Sequence, residues 1–274
     1  MLFHLFSLLL WPKMMSEPFS TPKMSNLMRA FKVDILVSMV CLLMPLGVRA
    51  QVYHGTTGLL QVPSAETDSA GTFRGGLFYL DRRFTPSKYG DYNTFGYTIG
   101  ITAFPWLEVS YSATMLKYVI EGLSSEPRYY NEDRHVNVKL RPLKEGRWWP
   151  AIAVGMDDIG RFASIKDGLN GNNFFQNIYI VGSKHFELGG NQLGVHLAYR
   201  YYTTSGNTDR RGLAGGLTFR PVFFRPLRVV AEWDGVGVNV GADVLLWQRL
   251  FIQASLVHGR GFMGGLSYRY TIPH

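Results

Sequence analysis

The chain has 274 residues, of which 46% are hydrophobic and 18% charged, with 30 glycines, 18 phenylalanines, 15 tyrosines and a formal net charge of +8. That length suits one large domain or two small ones. A mean hydropathy near zero, combined with so much glycine and aromatic residue, suits a membrane β-barrel, whose strands average an apolar and a polar face. The basic residues are scattered without a Lys/Arg run, which excludes a nucleic-acid patch, and a single cysteine, Cys41, excludes a disulfide framework.

Residues 1–50 carry the features of a cleaved signal peptide. Arg29 and Lys32 form a basic flank, an apolar core runs from Ile35 to Leu46, and Val48, Arg49 and Ala50 precede the cut. The core is too short to span a bilayer comfortably as a helix. A lipid-anchored reading would use Cys41, but Ser38, Met39 and Val40 before it are not the small residues such a site needs. Residues 1–27 read as an N-terminal extension from an upstream start codon, with initiation expected at Met24 or Met28. Residues 51–70 (QVYHGTTGLLQVPSAETDSA) have neither strand nor helix period. They form a leader that either tethers in the periplasm or folds back to plug a lumen, because Leu59, Leu60 and Val62 need apolar shelter.

From residue 71 to 274 short alternating segments recur, and period-2 alternation marks strands with two different faces. They start near Gly71, Thr94, Leu107, Arg134, Ala151, Phe174, Gln192, Arg211, Leu227, Val236, Leu250 and Phe262. In the clearest, Leu193, Val195, Leu197, Tyr199 and Tyr201 alternate with Gly194, His196, Ala198 and Arg200. Most have about ten residues, the length a tilted strand needs to cross a bilayer. Through eight strands long and short connections alternate, as in barrels with long external loops and short periplasmic turns, while the final pairs are joined tightly on both sides. The stretch from Lys117 to Asp133 and RFASIKDGLNGNN (161–173) are long; Pro105 with Trp106, KEGRWWP (144–150) and ELGGN (187–191) are short. Trp106, Trp148, Trp149 and Trp247 fall at the short turns, as an interfacial aromatic belt requires. The fold expected is all-β, a single antiparallel transmembrane barrel of about twelve strands in the outer membrane of a two-membrane bacterium. A soluble β-sandwich is the competing architecture, with its apolar face turned into a core.

If the apolar positions face lipid, the alternate ones line the lumen. The track so defined contains Lys139, Arg141, His196, Arg200, Arg220, Arg228, Glu232, Asp243 and Arg269, with Glu108, His135, Asn137 and Asp157 on the same side. Such a lining either fills a narrow barrel with salt bridges or offers planar donors to an anionic or hydroxyl-rich ligand. Roughly sixteen strands are needed for an aqueous channel, so about twelve predict a constricted pore at best. Catalysis at a lipid-facing surface would need a serine activated by a histidine. His258 is expected to point outward near the external rim with no serine in reach, and Glu232 with Asp234 read as part of a charge network. DGLNGNN (167–173) lacks a full calcium-loop pattern. No cofactor, metal or nucleic acid is expected.

Two motifs carry a resemblance to a known family. Gly55, Thr56, Thr57, Gly58 and Leu59, followed by Pro63, Ser64 and Ala65 and a glycine opening the first strand, resemble the start of the YjbH-like family. Val138, Lys139, Leu140, Arg141 and Pro142, followed by WPAIAVGMDD (149–158), resemble its basic strand, turn and "PAIAVG" strand. The resemblance implies an outer-membrane β-barrel linked to exopolysaccharide or capsule production, with a part in secretion or surface assembly rather than a reaction. Its implied partners are outer-membrane lipid, the barrel assembly machinery, polysaccharide and other export components. A narrow solute pore, or an enzyme modifying lipid or glycolipid through His258 or Glu232, stands as the alternative.

Overall fold

A computed structural model describes residues 55–82, 92–119, 125–159, 175–203 and 205–273. The signal-peptide reading of residues 1–50 and the loop RFASIKDGLNGNN lie outside these residues. Twelve strands follow one another: β1 (Thr72–Leu80), β2 (Thr94–Phe104), β3 (Leu107–Tyr118), β4 (Arg128–Leu143), β5 (Ala151–Ile159) and β6 (Asn177–Leu188). The second half comprises β7 (Asn191–Tyr202), β8 (Gly212–Arg220), β9 (Leu227–Trp233), β10 (Val238–Leu246), β11 (Leu250–Val257) and β12 (Gly261–Thr271). Each pairs antiparallel with its chain neighbours, and β1 pairs with β12 from Thr72 opposite Thr271 to Tyr79 opposite Gly264, closing the barrel. Closure leaves no open edge, the condition for a sheet to cross a membrane.

The alternation read in the sequence is the alternation of the wall. Leu77, Ile99, Leu197, Leu217, Val238, Phe262 and Leu266 stand exposed on the outer face, while Thr98, His196, Thr218, Asn239 and Ser267 between them are buried inside. A closed barrel with aliphatic and aromatic side chains outward and polar side chains inward inverts a soluble sandwich and fits the outer membrane. The two ends of the barrel differ in their connections. Connections at the end holding the start of β1 and the end of β12 are short, such as Gly189–Gly190 between β6 and β7, where φ values of +57° and +83° form the tight turn glycine permits. This end is periplasmic.

Where strand limits differ from the expectation, the reason is physical. Strand β4 begins at Arg128, not Arg134, because β3 and β4 stay paired out to Tyr118 opposite Arg128. The hairpin stands above the hydrocarbon, where a strand needs no apolar face, so its polar residues look like loop in the sequence. Tyr118 and Tyr130 pack there at 4.6 Å between ring centroids. Strand β10 begins at Val238 rather than Val236 because Asp234 caps the turn before it. Its Oδ1 accepts the amide N–H groups of Val236 (3.1 Å) and Gly237 (2.9 Å). Strand β6 starts three residues later than expected, at Asn177.

Asp234 lies beyond the end of β9 and links this turn to pH. Burial pushes its carboxyl up, but Arg210, the amides of Gly237 and Val236, and His258 prevail and hold it below the usual carboxylate range. A depressed carboxylate contributes stability above its unfolded pKa that is lost as pH falls through its folded pKa. Hydrogen exchange at the Val236 and Gly237 amides is therefore expected to accelerate on acidification. In Asp234→Asn that acid-induced acceleration should be absent.

Candidate functional site

The leader occupies the lumen. Pro63 bridges back to Gly58, and the Leu59 N–H donates to the Val62 carbonyl at 2.8 Å, so residues 58–63 form a tight hairpin. From Thr56 to Ala65 every residue is buried. The descending arm leaves at the periplasmic end, where the Thr67 hydroxyl donates to the Pro105 carbonyl at 2.6 Å. The tip reaches toward the opposite end, beside Glu232 near the top of β9.

Glu232 holds the tip through main-chain donors. The consecutive N–H groups of Leu60, Gln61 and Val62 donate to its carboxylate at 3.0, 2.8 and 3.1 Å, and Asn239 Nδ2 adds a fourth donor at 2.9 Å. Three successive amides converging on one anion form a nest, a recurrent carboxylate- and phosphate-binding geometry. The two arms are clamped at the other end by Glu108 and Lys139. Glu108 accepts the Thr57 and Asp68 amides, each at 3.0 Å, and pairs with Lys139 Nζ at 2.9 Å and Arg74 at 3.4 Å. Lys139 Nζ also donates to the carbonyls of Thr57 (2.8 Å) and Glu66 (2.7 Å) and to the Thr57 hydroxyl. Arg228, held by Asp243 at 2.8 Å, donates to the Gly58 carbonyl at 3.0 Å. A buried charge is tolerated only when paired and hydrogen-bonded, and the leader's backbone supplies much of that pairing.

The remaining wall is apolar and small. Leu59, Leu60, Val62 and Ala65 pack on Ala151, Ala153, Tyr179, Val181, Ala198, Ala214 and Val230. Glycines make room: a Cβ at Gly216 would lie 2.8 Å from Leu59 Cδ1, and one at Gly241 3.0 Å from Leu60 Cδ2. Gly55, with φ +87°, lies so close to β2 and β3 that a Cβ would sit 2.9 Å from Ser110 Cβ. A cavity of about 30 Å³ remains beside Thr98, Gln253, Met263 and Ser267, about one water's share of liquid volume.

Of the residues expected to line the lumen, Lys139, His196, Arg200, Arg220, Arg228, Glu232 and Asp243 are buried inside. Lys139, Arg228 and Glu232 meet the leader's backbone directly. Arg200 donates to the Asp234 carbonyl, and His196 stands between Ser183 (2.8 Å) and Thr218 (3.2 Å). Arg141 and Arg269 lie at the periplasmic rim rather than on the track: Arg141 donates to the Pro105 carbonyl at 2.8 Å, and Arg269 pairs with Asp68 at 3.1 Å. Among the leader residues, Gly58 and Leu59 offer carbonyls to Arg228, and Pro63 closes the hairpin. Trp106, Trp148, Trp149 and Trp247 are all exposed at the short-turn end.

The placement of His258 is corrected as well. His258 does not point outward to lipid; its Nε2 lies 3.1 Å from both oxygens of Asp234 over the barrel mouth. The adjacent Gly259 has φ +65°, and His258 itself takes φ +51°, so the turn folds the ring inward. Sequence reasoning missed Arg74, Asp68 and Ser183, whose Oγ accepts the Ala65 amide at 2.8 Å. It also missed the chain Glu66–His185–Glu145, with contacts of 3.4 and 2.7 Å. Arg74 and Ser183 lie on the first and sixth strands, whose poor alternation leaves their register open in the sequence. Among the described residues no group of His, Cys, Asp and Glu is arranged to hold a metal ion.

Residues 50–273 match the family model YjbH, described as "Exopolysaccharide biosynthesis protein YbjH". The chain belongs to this family. It is 30% identical over 162 residues to "Uncharacterized lipoprotein YjbH" of Escherichia coli K12, an alignment covering 58% of this chain and 20% of that protein. The chain thus spans about a fifth of that relative's length. Solved structures with a similar outline include a KdgM porin (9% identity, TM-score 0.43, covering 74% of this chain and 99% of that one). Another is the outer membrane phospholipase of Salmonella typhi (11% identity, TM-score 0.35, covering 72% and 90%).

Proposed function

We propose that this YjbH-family barrel assists exopolysaccharide secretion or surface assembly as a gated, non-enzymatic element of the outer membrane. The observation that carries the reading is the leader itself: a hairpin held inside a charged lumen by hydrogen bonds to Glu232, Glu108, Lys139 and Arg228 and by a small apolar contact with the wall. With the hairpin withdrawn, Lys139, Arg228, Glu108 and Glu232 would line a track of an ammonium, a guanidinium and two carboxylates, groups that suit a hydroxyl-rich chain. The family description supports the polysaccharide connection. The engagement of His258 with Asp234, and the enclosure of the Ser183–His196 pair behind Ala65, support a role without catalysis. Polysaccharide, export components, the barrel assembly machinery and outer-membrane lipid are its proposed partners.

The test is deletion of the gene in its own host, with complementation by the wild-type chain and by a Glu232→Ala variant. Surface polysaccharide is expected to fall on deletion and to return with the wild-type chain. Polysaccharide unchanged in amount and location would overturn the reading. Turnover of phospholipid or glycolipid by the purified barrel would replace it with the enzymatic one.

A further inference from the structure

At the external mouth the chain builds a second polar site that the plug does not fill. A cavity of about 460 Å³ opens there, within the ~300–1,000 Å³ range of small-ligand sites. Three elements line it: the 3-10 turn Ser205–Arg210, the β9–β10 turn and the β11–β12 turn. Asp209, Arg210, Val236, Gly237, His258 and Arg260 face the cavity.

The site is preorganised. The Asp234 carboxylate, fully buried beneath it, fixes the His258 ring through Nε2 at 3.1 Å and draws Arg210 to 3.5 Å. Gly237 supplies the floor: a Cβ there would sit 2.5 Å from His258 Cδ2, so the imidazole packs directly on backbone that only glycine leaves open. Held in this way by Asp234, the His258 ring forms one side of the cavity. The guanidinium groups of Arg210 and the exposed Arg260 supply planar forks that match a carboxylate. Val236 and Val257 add an apolar face for the C–H side of a sugar ring. Arg210 has a further partner: it donates to Gln61 Oε1 at the tip of the leader at 2.9 Å.

We propose that this mouth binds a carboxylated sugar residue of an acidic polysaccharide, and that Arg210 links its occupancy to the position of the plug tip. The link rests on the gated-barrel reading above. A ligand that draws Arg210 away from Gln61 loosens the tip, and by reciprocity a tip that releases Arg210 strengthens the ligand's hold.

The experiment uses the purified full chain in detergent micelles, with heat-dependent gel migration checking that each variant is folded. Tetraglucuronate, maltotetraose and inorganic phosphate are titrated by calorimetry at pH 7. Tetraglucuronate is expected to bind at least about tenfold more tightly than either control, and Arg260→Gln or His258→Asn to weaken it about tenfold. Gln61→Ala, outside the cavity, is expected to tighten binding several-fold by freeing Arg210. Equal binding of maltotetraose would overturn the carboxylate assignment and equal binding of phosphate the saccharide assignment, and unchanged affinity in both mouth variants would overturn the site. Unchanged affinity in Gln61→Ala would overturn the link to the plug. Binding in micelles does not depend on secretion, so an acidic tetramer that binds to a barrel whose deletion leaves polysaccharide intact would break the gating reading alone.

Discussion

Glu232→Ala is expected to release the tip of the leader and turn a closed barrel into one that conducts. The variant removes the carboxylate that accepts the amides of Leu60, Gln61 and Val62 together with Asn239 Nδ2. Hydrogen bonds to a charged acceptor contribute about 1.5–3 kcal/mol each and are not additive, so the loss is on the order of 3–6 kcal/mol for the docked state. The three amides then have no acceptor inside the wall, and staying buried unpaired costs more than moving to water. Deuterium exchange at residues 60–62 is expected to rise sharply, and planar bilayers to show conductance bursts absent from the wild type. Glu232→Gln should fall between, because one acceptor oxygen remains while its amide hydrogens oppose the donors. Exchange at residues 60–62 as slow in Glu232→Ala as in the wild type would contradict this account of the plug.

Lys139→Met is expected to cost barrel stability rather than only plug position. It leaves Glu108, which is fully buried, with Arg74 at 3.4 Å as its remaining cation, and strips a donor from the Thr57 and Glu66 carbonyls. Removing one partner of a buried pair costs about 3–5 kcal/mol, because an uncompensated charge remains. Urea unfolding in micelles should show the unfolding free energy fall by that amount, with a correspondingly lower midpoint. Lys139→Met combined with Glu108→Gln should recover part of the loss, since the stranded charge is gone. A double variant no more stable than the single one would show that Lys139 acts through packing alone.

Much of the wall was legible before the structure. Period-2 alternation assigns His196, Arg200, Arg228, Glu232 and Asp243 to the lumen because a one-residue slip would put all of them into lipid. The alternation of loop lengths set which end is periplasmic. The contents of the lumen were less legible. Leu59, Leu60 and Val62 announced a need for shelter, but nothing local says that Leu60 meets Glu232, 172 residues away. The small inward residues Ala153, Ala198, Ala214 and Gly216 were in view as strand positions, and their size was the unread signal of a hairpin to be accommodated. The hairpin top of β3 and β4 was misread for the opposite reason: beyond the hydrocarbon the composition that marks a strand disappears while its hydrogen bonds continue. His258 was misplaced because a residue inside a tight turn escapes the strand phase altogether.

The carboxylates that grip the leader, Glu108 on β3 and Glu232 on β9, stand six positions apart in a ring of twelve strands. They are diametrically opposed. Residues 57–62 therefore run obliquely across the lumen, bonded to opposite walls at different depths, and flattening the barrel along that diagonal must strain those bonds. The same span also fixes the circumference at which β1 can meet β12, so the leader acts as a gauge for closure: a sheet curled too tightly or too loosely cannot satisfy both carboxylates at once.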